Sequence, residues 1–478
     1  MKTTPRVPAV AGRFYAATPG KLQEELEQLF TQAREKECNN VRAIISPHAG
    51  YVFSGGVAAS AFNQIDARKK YKRIFVIGSS HHVSLQGAAV YTSGDFLTPL
   101  GVVAVDTAFC GQLAADYPDI FVADSQAHRA EHSIEVQLPF LQHLLGNDFV
   151  IIPVIIGTSR PAVCKRIAEI LAPYLGEENL FVISTDFSHY PPYNQAVETD
   201  ARTKDAILTN NPDELLRVIR DNESSGIPHL ATCLCGWTSV LTLLYMTAGN
   251  KELQYVAIDY KNSGDAPVNG ERDQVVGYWG IAVCDSKLKF SAAEEKMLLD
   301  IARQSMEQAV ITGRKSPLNP PPEYPGALQQ PCGAFVTLRQ HNQLRGCIGR
   351  IQSDVPLYML VSEMAVAAAL YDDRFAPVTK KDLEEITIDI TVLSPLEEIH
   401  DVNRIETGRH GILIKGRGRS GVFLPQVATE TGWSREEFLG HCSRDKAGLG
   451  WDGWKTARIF IFTGTIIAHH TPGTKIPQ

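Results

Sequence analysis

Ile74-Phe75-Val76-Ile77-Gly78-Ser79-Ser80-His81-His82 places four consecutive apolar residues directly before a glycine-serine turn that closes on two histidines. A strand with one wet face alternates apolar and polar residues, whereas an unbroken apolar run fits a parallel strand covered on both faces. The design occurs earlier, where Ala43-Ile44-Ile45 leads into Ser46-Pro47-His48-Ala49-Gly50-Tyr51. It occurs again where Phe181-Val182-Ile183 leads into Ser184-Thr185-Asp186-Phe187-Ser188-His189. Open α/β sheets bind ligands beyond the carboxyl ends of their strands. Three such ends with histidine predict a shared rim, and imidazole's readiness to ligate metals makes a metal centre the first expectation.

Working outward, strands are expected over 42–46, 73–78, 149–156, 180–184, 254–259 and 275–284. Helical patterns fall over 21–30, 55–63, 131–145, 161–174, 201–219 and 236–247. This alternation predicts a mostly parallel sheet sandwiched by helices, with late strands adding antiparallel edges. A boundary follows Cys284, where Ser291-Ala292-Ala293-Glu294 forms a capping box and opens a helix over 292–311. The proline-rich stretch 315–326 reads as a surface loop or short polyproline segment. Beyond it Ile386, Ile388, Ile390 and Val392 alternate with Thr387, Asp389 and Thr391, the period of a half-buried antiparallel strand. The second domain is therefore expected to be α+β.

A chain of 478 residues exceeds what one core usually supports, so two or three domains are expected. A net charge of -7 supplies no basic field, which argues against nucleic acid and anionic membrane as main partners and favours a small-molecule substrate. The absence of a long apolar span or apolar leader gives a cytoplasmic reading. Nine scattered cysteines form no disulfide framework. Cys233-Leu234-Cys235 has one spacer rather than two, so it is no zinc knuckle. Cys235-Gly236-Trp237 opens a helix, where the dipole lowers a thiol pKa and favours a metal-binding thiolate, while Cys233 reads as core. Glu131 and Glu135 share a helical face and read as solvated or capping. His132 between them is a pocket candidate.

Pro47-His48-Ala49-Gly50-Tyr51, Ser80-His81-His82-Val83, Glu131-His132-Ser133-Ile134-Glu135, Ser184 to His189 and Leu234-Cys235-Gly236 together resemble the Memo family, in order across the first domain. Gln343-Leu344-Arg345-Gly346-Cys347-Ile348-Gly349, Asp373-Arg374-Phe375 and Leu424-Pro425-Gln426-Val427-Ala428 resemble the AMMECR family. The resemblance divides the chain into 1–286, a Memo-like metal-site domain, and 287–478, an AMMECR-like domain with an antiparallel sheet. It implies a fusion of two components of the AmmeMemoRadiSam system, with a radical-SAM enzyme as partner. Memo proteins are similar in fold to class III extradiol dioxygenases, whose non-haem iron sits between two histidines and a carboxylate. By that resemblance His48, His81 and Cys235 hold the metal, Fe2+ first and Cu or Zn as alternatives. His189 and Asp186 take catalytic roles, and His82, His132 and Tyr51 line the pocket. A thiolate in place of the carboxylate raises affinity for copper or zinc and changes iron's redox behaviour.

In the second domain, Arg345, Cys347 and Arg374 mark a cleft where guanidinium groups meet an anion and a thiol faces ligand, against a reading in which Gly346 and Gly349 serve only a tight bend. The expected function is a metal-dependent, dioxygenase-like oxidoreductase on a small substrate. The alternatives are a non-catalytic metal- or peptide-binding module, or catalysis residing in the AMMECR-like domain.

Overall fold

The computed structural model describes residues 4–38, 40–267, 270–286, 288, 290–313, 324, 326–399 and 401–468. The proline-rich residues 315–323 lie outside them. The chain divides into two compact units, Met1–Asp285 and Ser286–Gln478. No described helix is long and apolar enough to cross a membrane.

In the first unit the strands are β1 (Val41–Ser46), β2 (Arg73–Ser79), β3 (Ala88–Val90), β4 (Phe96–Thr98), β5 (Gly101–Val105), β6 (Phe121–Ala123), β7 (Val150–Ile156), β8 (Asn179–Ser184), β9 (Leu253–Asn262) and β10 (Gly277–Asp285). They form one sheet whose main path runs β4-β5-β7-β2-β8-β1-β10-β9. The inner strands β7, β2, β8 and β1 are parallel, and β10 and β9 add antiparallel neighbours at one edge. Every residue of β1 and β8 is buried, which is why these runs carry no polar alternation. Helices Tyr51–Phe62, Pro161–Leu171 and Trp237–Thr247 bury apolar faces in the same core.

Register explains why the rim residues converge. Ser46 pairs with Ser184 and Gly78 also pairs with Ser184, so these three share one row across the sheet. His48 and Asp186 each lie two residues beyond that row, and His81 three beyond it. The expected helix over 131–145 is shorter: Glu131 to Ile134 form a turn, a 3-10 turn covers Glu135–Gln137, and the α-helix is Leu138–Leu145.

The second unit has β11 (Ala334–Gln340), β12 (Gln343–Arg350), β13 (Ile386–Leu393), β14 (Glu397–Ile399), β15 (Gly411–Gly416), β16 (Arg419–Phe423), β17 (Arg458–Phe462) and β18 (Gly464–Ala468). They form two antiparallel sheets, β12-β11-β13-β18 and β14-β17-β15-β16. Ser291 and Glu294 form the expected capping box at the start of helix Ala292–Thr312. That helix and helix Leu357–Leu370 pack on the first sheet.

Candidate metal centre

His48 leaves β1 almost fully buried, at 2% exposure. Its backbone N–H donates to Asp186 Oδ1 at 2.8 Å, its Nδ1 lies 2.9 Å from Ser184 Oγ, and its Nε2 lies 3.3 Å from Cys235 Sγ. Cys235 reaches this position because the turn before the helix beginning at Trp237 passes very close to the end of β8. A Cβ on Gly236 would sit 2.6 Å from Thr185 Cβ, so only glycine fits there. The Asp186 N–H donates to Cys235 Sγ at 3.2 Å.

His81 comes from β2, its side chain 29% exposed, and is fixed by Glu131. The carboxylate accepts from the His81 backbone N–H (2.8 Å), pairs with His81 Nδ1 (2.9 Å) and accepts from the Ser133 N–H (3.0 Å). Glu131 is 2% exposed, and Glu135 is fully buried against Arg6 and Tyr15. The expectation of a solvated or capping face for this pair is thus corrected. The segment is a turn folded into the protein, and its carboxylates are partnered inside.

His48, His81 and Cys235 offer one nitrogen, one nitrogen and one sulfur within 4.8 Å of one another. The donor set fits a divalent transition metal of borderline softness. Both imidazoles have Nδ1 held by a neighbour, the usual way a ligating histidine is oriented. The His81 end of the donor group is reached by solvent. His81, Glu131 and His132 form a second cluster, but the Glu131 oxygens already accept three hydrogen bonds and belong to the His81 support.

Burial, followed by the neighbouring His132 and His81, pushes the His48 pKa well down, favouring a neutral ring. For His81 burial opposes protonation, but the Glu131 hydrogen bond and charge prevail and raise the pKa. Asp186 is pushed up to about 7 by burial. The Cys235 thiol is raised by burial and by Asp186. This corrects the expectation of a thiol lowered by a helix N-terminus, because the helix begins at Trp237 and desolvation beside a carboxylate outweighs its dipole. A cation among the three donors would supply the opposite charge that a thiolate needs there.

Of the other expected residues, His132 joins the group, its ring 4.8 Å from His81 and 5.2 Å from His48. Buried His189 Nε2 has no hydrogen-bond partner among the described residues, and burial pushes its pKa down to about 4. His82 is exposed, its N–H 3.3 Å from Ser80 Oγ. Tyr51 belongs to the core instead of the pocket: it is 3% exposed, donates to Val136 O at 2.8 Å and packs on Phe140. The sequence reading also missed Phe14, whose ring meets His132 edge-on at 5.0 Å from a distant amino-terminal segment.

In the second unit, Arg345, Cys347 and Arg374 do lie together, but the guanidinium groups serve the protein. Arg345 donates to the Ala376 and Pro377 carbonyls, and Arg374 to Asp372 and the Cys347 carbonyl. The Cys347 N–H donates to Asp372 Oδ2 at 2.8 Å, and the Thr337 hydroxyl to Cys347 Sγ at 3.2 Å. Asp372 and Arg374 thus supply partners for the free edge of β12 at Cys347, and the Arg374 side chain remains half-exposed.

The first unit is thus an α/β protein in which the ends of β1 and β2 bring His48 and His81 to one rim, where the turn before Trp237 adds Cys235. Residues 6–282 match the Memo-like protein family model, and the chain belongs to that family. Residues 299–467 match the AMMECR1 model, so both domains occur in one chain. A MEMO1 family protein of Desulfurococcus amylolyticus is 33% identical over 288 residues, 57% of this chain and 96% of that one. One from Methanosarcina barkeri is 34% identical over 282 residues, 58% of this chain and 99% of that one. An uncharacterized protein of Pyrococcus horikoshii, known from its crystal structure, is 33% identical, covering 37% of this chain and 93% of that one with a TM-score of 0.35.

Proposed function

We propose that the first unit is a metal-dependent oxidoreductase of extradiol dioxygenase-like type, holding iron(II) at His48, His81 and Cys235 and acting on a small molecule in a radical-SAM-associated pathway. The observation that carries the reading is the convergence of these three donors within 4.8 Å, with Nδ1 of each histidine held by Ser184 or Glu131. Membership in the Memo family, whose fold resembles that of the extradiol dioxygenases, supports it. Bound iron(II) would supply a Lewis acid and a redox partner for oxygen.

The chain's own residues do the rest. Asp186 fixes the backbone of His48, and Glu131 orients His81. Burial keeps His189 neutral near pH 7, and its Nε2, without a partner among the described residues, is the atom through which it would exchange a proton with substrate. His132 and Phe14 wall one side.

Protein purified without oxygen is expected to hold about one divalent metal per chain by elemental analysis, and His48→Ala or Cys235→Ala is expected to lose it. Stoichiometric metal in both variants would overturn the reading. Iron-loaded protein that consumes no oxygen with any catechol or metabolite extract would reduce it to a binding module.

A further inference from the structure

We propose that Ser184 and Gln137 are positioning residues for metal capture: their hydrogen-bond chain fixes His48 as the Nδ1–H tautomer, so that the Nε2 lone pair always faces the metal position. The proposal rests on the metal reading above and adds how the chain prepares its least accessible ligand.

The assignment follows from which atoms can donate. Gln137 is fully buried, and its amide nitrogen lies 2.9 Å from the Pro47 carbonyl oxygen and 3.0 Å from Ser184 Oγ. A carbonyl only accepts, so the amide edge facing Pro47 is the NH2 group, whose second hydrogen goes to Ser184. Ser184 Oγ in turn lies 2.6 Å from the Ser133 carbonyl oxygen. That carbonyl also only accepts, so the single hydroxyl proton of Ser184 points to it. With that proton committed and one lone pair taken by Gln137, Ser184 Oγ can meet His48 Nδ1 at 2.9 Å only as an acceptor. The hydrogen is therefore on Nδ1. Nε2 keeps its lone pair, directed at the region of Cys235 Sγ 3.3 Å away.

Reversing the tautomer would break the strong bond to Ser133 or set two hydrogens against each other in a fully buried place, where an unmet polar group is costly. His81 reaches the same state by another route, through a carboxylate that only accepts when ionised. One ligand is thus set by a buried carboxylate and the other by a neutral relay.

The test uses full-length protein stripped of metal by chelation, with 15N-labelled histidine, the His48 signals being identified by their loss in His48→Gln. The expected spectrum shows the proton on Nδ1 in the native protein and on Nε2 in Ser184→Ala. Cobalt(II) titration is expected to give ~10–100-fold weaker binding in Ser184→Ala. Ser184→Thr, which keeps the hydroxyl, should restore both tautomer and affinity, and Gln137→Met should show a mixture of tautomers. A native His48 protonated on Nε2 would overturn the proposal, as would a folded Ser184→Ala that keeps the native tautomer and cobalt affinity. Native protein that shows Nδ1–H yet binds no cobalt would overturn both metal capture and the reading of the preceding section, leaving the tautomer lock itself supported.

Discussion

His128 is 1% exposed, with its ring 5.4 Å from Tyr91 and 6.2 Å from Phe96, both edge-on. Burial pushes its pKa down to about 4, from 6.5 in an unfolded chain. Because the folded value lies below the unfolded one, the neutral ring's contribution is complete above about pH 6.5. Between there and pH 4 the unfolded chain binds more protons, so stability falls as the pH falls. A depression of this size is worth up to about 3 kcal/mol. Urea unfolding at pH 7 and pH 4.5 should show a loss smaller by about that amount in His128→Gln than in the native protein. Equal losses would refute it. At this same scale the sequence was readable in part. His48, His81 and His189 stood out because polar residues followed apolar runs. The buried roles of Glu131 and Glu135 did not, since an i,i+4 pair of glutamates looks alike on a wet helix and in a folded-in turn.

The amino-terminal segment works as an element without regular structure. Arg6 pairs with buried Glu135, its Nη2 donates to the Glu131 carbonyl at 2.7 Å, and its Nε donates to the His128 carbonyl at 3.0 Å. Glu135 also accepts from the Ala9 and Val10 N–H groups and the Tyr15 hydroxyl. One carboxylate thus holds four points of a strap that carries Phe14 against His132. Arg6→Ala removes the one cation and leaves the others as neutral donors to a buried charge. The expected cost is about 3 kcal/mol, at the low end for breaking a buried pair because three donors remain. Thermal melts of Arg6→Ala and Arg6→Lys should rank well below and modestly below the native chain. An Arg6→Ala melt at the native temperature would refute the role. The strap was illegible in sequence because its contacts span more than 120 residues. The strands β1, β2, β7 and β8 were legible because burial on both faces writes an unbroken apolar run. The three-residue strands β3, β4 and β6 write no such pattern.

At the scale of the molecule, each unit carries its own core. The large cluster draws only on residues 10 to 284, and the other three only on residues 298 and beyond. Chains built this way unfold in more than one step. Calorimetry of the metal-stripped protein should therefore resolve two transitions. A ligand that binds one folded unit stabilises that unit by RT ln(1 + [L]/Kd), about 2.7 kcal/mol at a hundredfold excess over Kd. For a unit of this size that corresponds to a rise of about 5 °C. Cobalt(II) should raise one transition by that amount and leave the other in place, and the rise should vanish in His48→Ala. A single transition shifted as a whole would show that the units unfold together. A shift that persists in His48→Ala would place the binding donors elsewhere. Because the three donors come from the ends of β1 and β2 and from the turn before Trp237, only the complete first unit can assemble them. The transition that moves therefore identifies the unit that holds the metal.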